Sequence, residues 1–80
     1  MQDAAEFFHR MFRKEARMIY ERIEALCKDR GVSIRKLEVE CGLSNGSIAK
    51  WKTVRPVAES LYRVAVYLDT TVEELLKEAN

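Results

Sequence analysis

The 80-residue chain is poor in residues that break, bridge or ligate: it has three glycines, one proline, two cysteines and one histidine. So few Gly and Pro supply too few turns for a multi-stranded sandwich or barrel, which leaves a helical domain. Cys27 and Cys41 stand 14 positions apart with His9 as the single histidine, so there is neither a disulfide framework nor a set of four zinc ligands. Two free thiols fit a reducing cytoplasm. Long apolar runs are missing too. Strictly apolar stretches reach three residues, as at Val64 to Val66, against the roughly 20 of a membrane span. Charged residues occupy the N-terminus where a signal peptide would carry its apolar stretch. A soluble cytoplasmic protein without a membrane partner is expected. A chain this short forms one domain with one small core and little room for a deep substrate cleft, which excludes a large enzyme.

What is present is a 48% hydrophobic, 34% charged composition, too apolar for intrinsic disorder. The net charge of +1 conceals an uneven distribution. Residues 1–29 balance, residues 64–80 are acidic, and residues 30–63 carry seven basic groups against Glu38, Glu40 and Glu59. From Cys41 to Ala58 there is no acid, while Lys50, Lys52 and Arg55 fall inside the stretch. A local basic surface is what contact with phosphate requires, whatever the total.

Apolar residues at Ala5, Phe8, Phe12, Ala16, Ile19, Ile23 and Leu26 recur in steps of three and four, one face of a helix. With no Gly or Pro in residues 3–30, the pattern allows one helix of about 42 Å or two joined near Met18. Gly31 is a stop and Ser33 an N-cap for a helix from Ile34 to Cys41 with Ile34, Leu37 and Cys41 inward. Gly42 ends it. Ser44 reads as the N-cap of a helix through about Thr53 with Ile48 and Trp51 inward. Pro56 precedes a fourth helix, Val57 to Leu68, with Leu61, Val64, Ala65 and Leu68 on its core face. Thr71 and Glu74 form a capping box for a last helix bearing Val72, Leu75 and Leu76. The expected architecture is all-α, with five or six helices.

The segment Ser33 to Lys52 therefore reads as helix, Gly-centred turn, helix. That geometry lets one helix cross a DNA backbone while the next enters the major groove. Leu37, Gly42, Leu43, Ile48 and Trp51, followed by Pro56, Leu61, Ala65, Leu68, Thr71, Val72 and Leu75, resemble the phage-repressor-type helix-turn-helix family, also called XRE-like or Cro/cI-like. The resemblance covers about Met18 to Lys77. It implies a compact five-helix, lambda-repressor-like domain over residues 18–80, operator DNA as ligand and binding commonly as a dimer, with residues 1–17 left as an additional helical arm.

Carried over by position, the resemblance places Asn45, Gly46, Ala49 and Lys50 against bases. Asn45 can pair with adenine, Lys50 can reach guanine or a phosphate, and Gly46 and Ala49 allow close approach or contact with a thymine methyl. Ser44 and Ser47 suit phosphates near a helix N-terminus. Ser33, Arg35, Lys36, Lys52 and Arg55 complete the phosphate set. Two positions depart from the family. Glu38 stands where a small residue is frequent, so it is expected to lean outward and weaken DNA binding locally. Ile34 replaces a common polar phosphate contact.

Other signals have ordinary readings. Trp51 is core, Tyr62 and Tyr67 are half-buried helix residues, and Cys27 and Cys41 are small buried thiols rather than a redox switch. His9 has no partner with which to bind metal or act as a base, and Glu73 and Glu74 complement a helix N-terminus. Phe7, Phe8, Met11 and Phe12 are more apolar than a solvated arm needs. They define a dimerisation element, with a helix folded back on the domain, a membrane-surface helix beside Arg10, Arg13, Lys14 and Arg17, or an incidental extension as alternatives.

Together these features describe a sequence-specific, DNA-binding transcriptional regulator, a homodimeric repressor reading the major groove with residues 44–53. The alternative is an antitoxin-like module that grips a protein partner through the apolar arm and binds DNA secondarily. Without a nucleophile–base pair, Gly-rich phosphate loop or ligand set, no enzyme, metal or cofactor is expected.

Overall fold

The computed structural model describes the backbone of residues 4–77 and the side chains of residues 4 and 14–77. Five helices follow in order: α1 (Ala4–Arg30), α2 (Ile34–Glu40), α3 (Ser47–Lys50), α4 (Ala58–Tyr67) and α5 (Val72–Leu76), with no strand among the described residues. The two options left by the first 30 residues resolve into one helix that runs through Met18 without a break. At 1.5 Å per residue α1 is about 40 Å long. Its buried stripe is Ala16, Ile19, Ile23 and Cys27. Phe7, Phe8, Met11, Phe12 and His9 lie on its helical backbone, but their side chains fall outside the described residues.

Three of the helix ends share one closure. After α1 the Val32 amide donates to the Cys27 carbonyl at 2.9 Å, and after α2 the Leu43 amide donates to the Glu38 carbonyl at 2.8 Å. After α4 the Thr70 amide reaches the Ala65 carbonyl at 2.9 Å. Each is the long bond of a Schellman motif, which needs a left-handed residue just before the donor. Gly42, at φ +71°, fills that place in the turn leading to α3, where a side chain would be strained. Asp69 does so after α4, at φ 55°. Ser33 caps α2 as expected, its Oγ accepting from the Lys36 amide at 3.0 Å. Thr71 caps α5, its Oγ1 accepting from the Glu74 amide at 3.1 Å.

One core gathers the inward faces: Ile19, Ile23 and Cys27 from α1, Leu37 and Cys41 around α2, Ile48 and Trp51 around α3, Leu61, Val64, Ala65 and Leu68 around α4, and Leu75 from α5. Ile34, Leu43 and Val72 pack at its margin. Burying each large aliphatic side chain contributes about 1.5–3 kcal/mol, so the short helices are held by this shared core more than by their own ladders. Helix α5 packs on α1 and α4, and α2 touches α1, α3 and α4, so α2 is seated on α1 and α4 with α3 against it.

Two expectations are corrected. Tyr62, expected to be half-buried, is 62% exposed on the outer face of α4, because Leu61, Val64, Ala65 and Leu68 already fill the inner face, while Tyr67, at 37% exposed, stays close to the half-burial expected. On α5, Leu76 lies exposed beside the buried Leu75. The helix expected over residues 44–53 is regular only from Ser47 to Lys50. Beyond it the Lys52 and Thr53 amides reach carbonyls three residues back, a tighter turn that lets the chain leave toward Pro56.

Candidate nucleic-acid interface

Helix α3 is one turn long, and its N-terminus is built differently from the expectation. Ser44 does not cap an amide with its side chain; its hydroxyl pairs with that of Ser47 at 2.8 Å. Gly46 occupies the cap position at φ 87°, a left-handed conformation that glycine adopts without strain. The cap comes from another helix. Glu38 of α2, expected to lean outward, is 2% exposed and turns inward toward α3. Its Oε1 accepts from the Gly46 amide at 3.3 Å and its Oε2 from the Ile48 amide at 3.0 Å. Arg35 reaches the same carboxylate, Nη1 to Oε1 at 3.5 Å.

The physical reason is that four amides at the start of a helix have no partner within it, and the positive end of the helix dipole favours a carboxylate there. Hydrogen bonds to a charged acceptor contribute about 1.5–3 kcal/mol each, enough to bring a carboxylate inside. Its charge is thereby spent on two amides and a guanidinium.

With Ile48 fully buried and Trp51 7% exposed, the register of the segment is set. Asn45, Ala49 and Lys50 are exposed on the opposite side, Ser44 with them, and Gly46 and Ser47 are partly covered. Ser47, Lys50 and Arg55 line one shallow depression with Leu43, Trp51 and Pro56, so three of the sequence-assigned residues share a rim. Arg35 and Lys36 project from α2, and Lys36 lies 3.7 Å from the exposed Glu40. Ser33 spends its Oγ on capping α2.

Lys52 and Arg55 point toward α1, a connection with no signal in local sequence. The Lys52 ammonium sits 5.0 Å from the centroid of the Tyr20 ring. Arg55 Nη2 lies 3.2 Å from Glu15 Oε1. Among the described residues Lys50 makes no ion pair, which leaves its charge available on the outer face.

Cys27 and Cys41 are free and buried. Burial raises both thiol pKa values above the ordinary range, with the neighbouring Cys41 adding to the effect at Cys27, while Arg63 offsets part of it at Cys41. Protonated thiols of this kind are poor nucleophiles and metal ligands. No group of three or more candidate ligands converges among the described residues, and no described helix is long and apolar enough to cross a membrane.

A short helix, a Gly-centred turn and a second helix that presents polar and cationic side chains while its opposite face is locked in the core define a helix-turn-helix DNA-binding domain. The profile of the Cro/C1-type HTH DNA-binding domain matches residues 22–77, and the chain belongs to that family. The match runs from the second half of α1 through α5 and includes the whole α2–α3 unit. The family is regulatory and non-catalytic, and the chain is a DNA-binding regulator. Comparison with curated proteins and with solved structures gave no match.

Proposed function

We propose that the protein is a sequence-specific transcriptional repressor in the cytoplasm that inserts the segment around α3 into the major groove of operator DNA. The observation that carries this reading is the two-sided construction of α3. Ile48 and Trp51 anchor one side in the core, while Asn45, Ala49 and Lys50 stand in solvent on the other. In this reading Asn45 pairs with adenine, Lys50 contacts guanine or a nearby phosphate, and Gly46 and Ala49 let the segment approach a thymine methyl. Ser33, Arg35, Lys36, Ser44, Ser47, Lys52 and Arg55 form the phosphate margin. Ser33, Ser44 and Ser47 have their hydroxyls in hydrogen bonds of their own and carry no charge, so their contribution is smaller than that of the cations.

The active species is a homodimer, with the apolar residues Phe7, Phe8, Met11 and Phe12 of the N-terminal segment as the joining element. Two α3 segments related by a two-fold axis would address half-sites one helical turn apart, about 34 Å. Footprinting on bound genomic fragments tests both parts. The wild type protects two symmetric half-sites at that spacing. Asn45→Ala and Lys50→Ala each lower affinity by about 1–3 kcal/mol and relax preference at different base pairs. Unchanged affinity and an unchanged footprint in both variants would remove α3 as the reading element.

A further inference from the structure

Arg55 is the place where the DNA-facing surface meets the long helix. Among the described residues, four of the ion pairs join positions three or four apart in one helix, and the pair between Glu15 and Arg55 joins two separate segments. Such a pair does not follow from helical periodicity. It exists because α1 extends past the exit of α3 and carries a carboxylate to the loop before Pro56. Beside it Lys52 lies over Tyr20, whose hydroxyl donates to Glu24 at 3.2 Å. Thus α1 engages two of the cations assigned to phosphate, in two different ways. A ring face leaves ammonium donors free to turn outward. A carboxylate 3.2 Å from Arg55 Nη2 instead offsets the positive charge that a phosphate would meet there.

We propose that Glu15 is a built-in competitor of DNA for Arg55, so that α1 lowers the affinity of the α2–α3 unit by making Arg55 give up a carboxylate before it meets a phosphate. The proposal rests on the DNA-binding reading above and concerns its regulation. The Glu15 and Arg55 side chains are 39% and 46% exposed, so the pair is solvated and weak. Phosphate displaces the carboxylate at modest cost. Glu15 therefore tunes binding without blocking it, and anything that moves the N-terminal part of α1 or neutralises Glu15 would strengthen the hold on DNA.

The test measures binding of the full chain to a random-sequence 30-base-pair duplex over a range of salt concentrations, for wild type, Glu15→Gln, Arg55→Gln and the double variant. Glu15→Gln keeps the shape and exposed position of the side chain, and its thermal unfolding checks that the fold is retained. The expected result is a gain of about two- to fivefold in affinity at low salt. The salt slope changes by less than the roughly 0.9 of a whole phosphate contact, because Arg55 reaches its phosphate in both proteins and Glu15→Gln removes only the cost of displacing the carboxylate. In the Arg55→Gln background the same change has no effect. An equal gain in that background would overturn the proposal, because Glu15 would then act as a general negative charge. Loss of affinity would also overturn it, showing that Glu15 aims Arg55 at the phosphate, as would no change. A wild-type chain that binds no duplex removes the DNA-binding reading itself, a result distinct from wild-type binding that ignores Glu15.

Discussion

Helices α1 and α3 lie at opposite extremes of how a helix is held. Helix α1 has 27 residues, an uninterrupted ladder and its own buried stripe. Helix α3 has four residues, too few to form alone, and depends on Ile48 and Trp51 below it and Glu38 beside it. The contrast teaches that the exposed face of α3 can be chosen almost freely for recognition because its position is specified from outside. In α1 position and stability reside in the same stripe of side chains. The α3 segment is therefore a graft whose geometry belongs to its neighbours.

The comparison can be broken first in the core. Ile48→Ala and Ile23→Ala each remove a fully buried side chain and should cost about 2–5 kcal/mol in chemical denaturation. If α3 is held from outside, Ile48→Ala also loses DNA affinity under conditions where it remains folded, while Ile23→Ala loses stability alone. Equal affinity losses in the two folded variants would erase the distinction.

Glu38→Ala comes next, at about 1–3 kcal/mol, because it leaves the Gly46 and Ile48 amides without their acceptor. Glu38→Gln keeps one good acceptor and should fall between wild type and Glu38→Ala. Faster hydrogen exchange at the Gly46 and Ile48 amides would accompany both. A Glu38→Ala variant as stable as wild type with unchanged exchange would show that the carboxylate does not position α3.

The smallest expected effect sharpens the contrast between the α2–α3 unit and its support. Ser33→Ala and Thr71→Ala each delete a side-chain cap, at about 1 kcal/mol apiece in thermal unfolding. Only the first lies in the α2–α3 unit, so only Ser33→Ala should also alter DNA binding. A matching change in affinity from Thr71→Ala would blur the boundary.

Much of this organisation is legible in sequence because it is local. Gly31, Ser33, Gly42 and Thr71 mark helix ends through bonds that span three to five residues, and Leu61, Val64, Ala65 and Leu68 follow a helical period into the core. The helix-turn-helix spacing likewise indicates which residues of residues 44–53 face inward. What local pattern cannot show is a partner supplied by another element. Glu38 looks like a surface acid until the amides of Gly46 and Ile48 are placed beside it in space. Ser44 looks like an N-cap because its type is right, although a stronger acceptor from α2 takes the role. Glu15 and Arg55 give no joint signal across the distance that separates them in the chain. Tyr62 fails for a related reason: its type favours partial burial, but the narrow core has no space left for it.

If the cationic face around α3 neutralises DNA phosphates, binding must weaken steeply with salt. Binding of the intact chain to duplex DNA across salt concentrations tests it most directly. With about five phosphates neutralised per subunit, log affinity should fall against log salt with a slope of about −4.5 per subunit. A slope near zero, or no binding at low salt, would contradict the account.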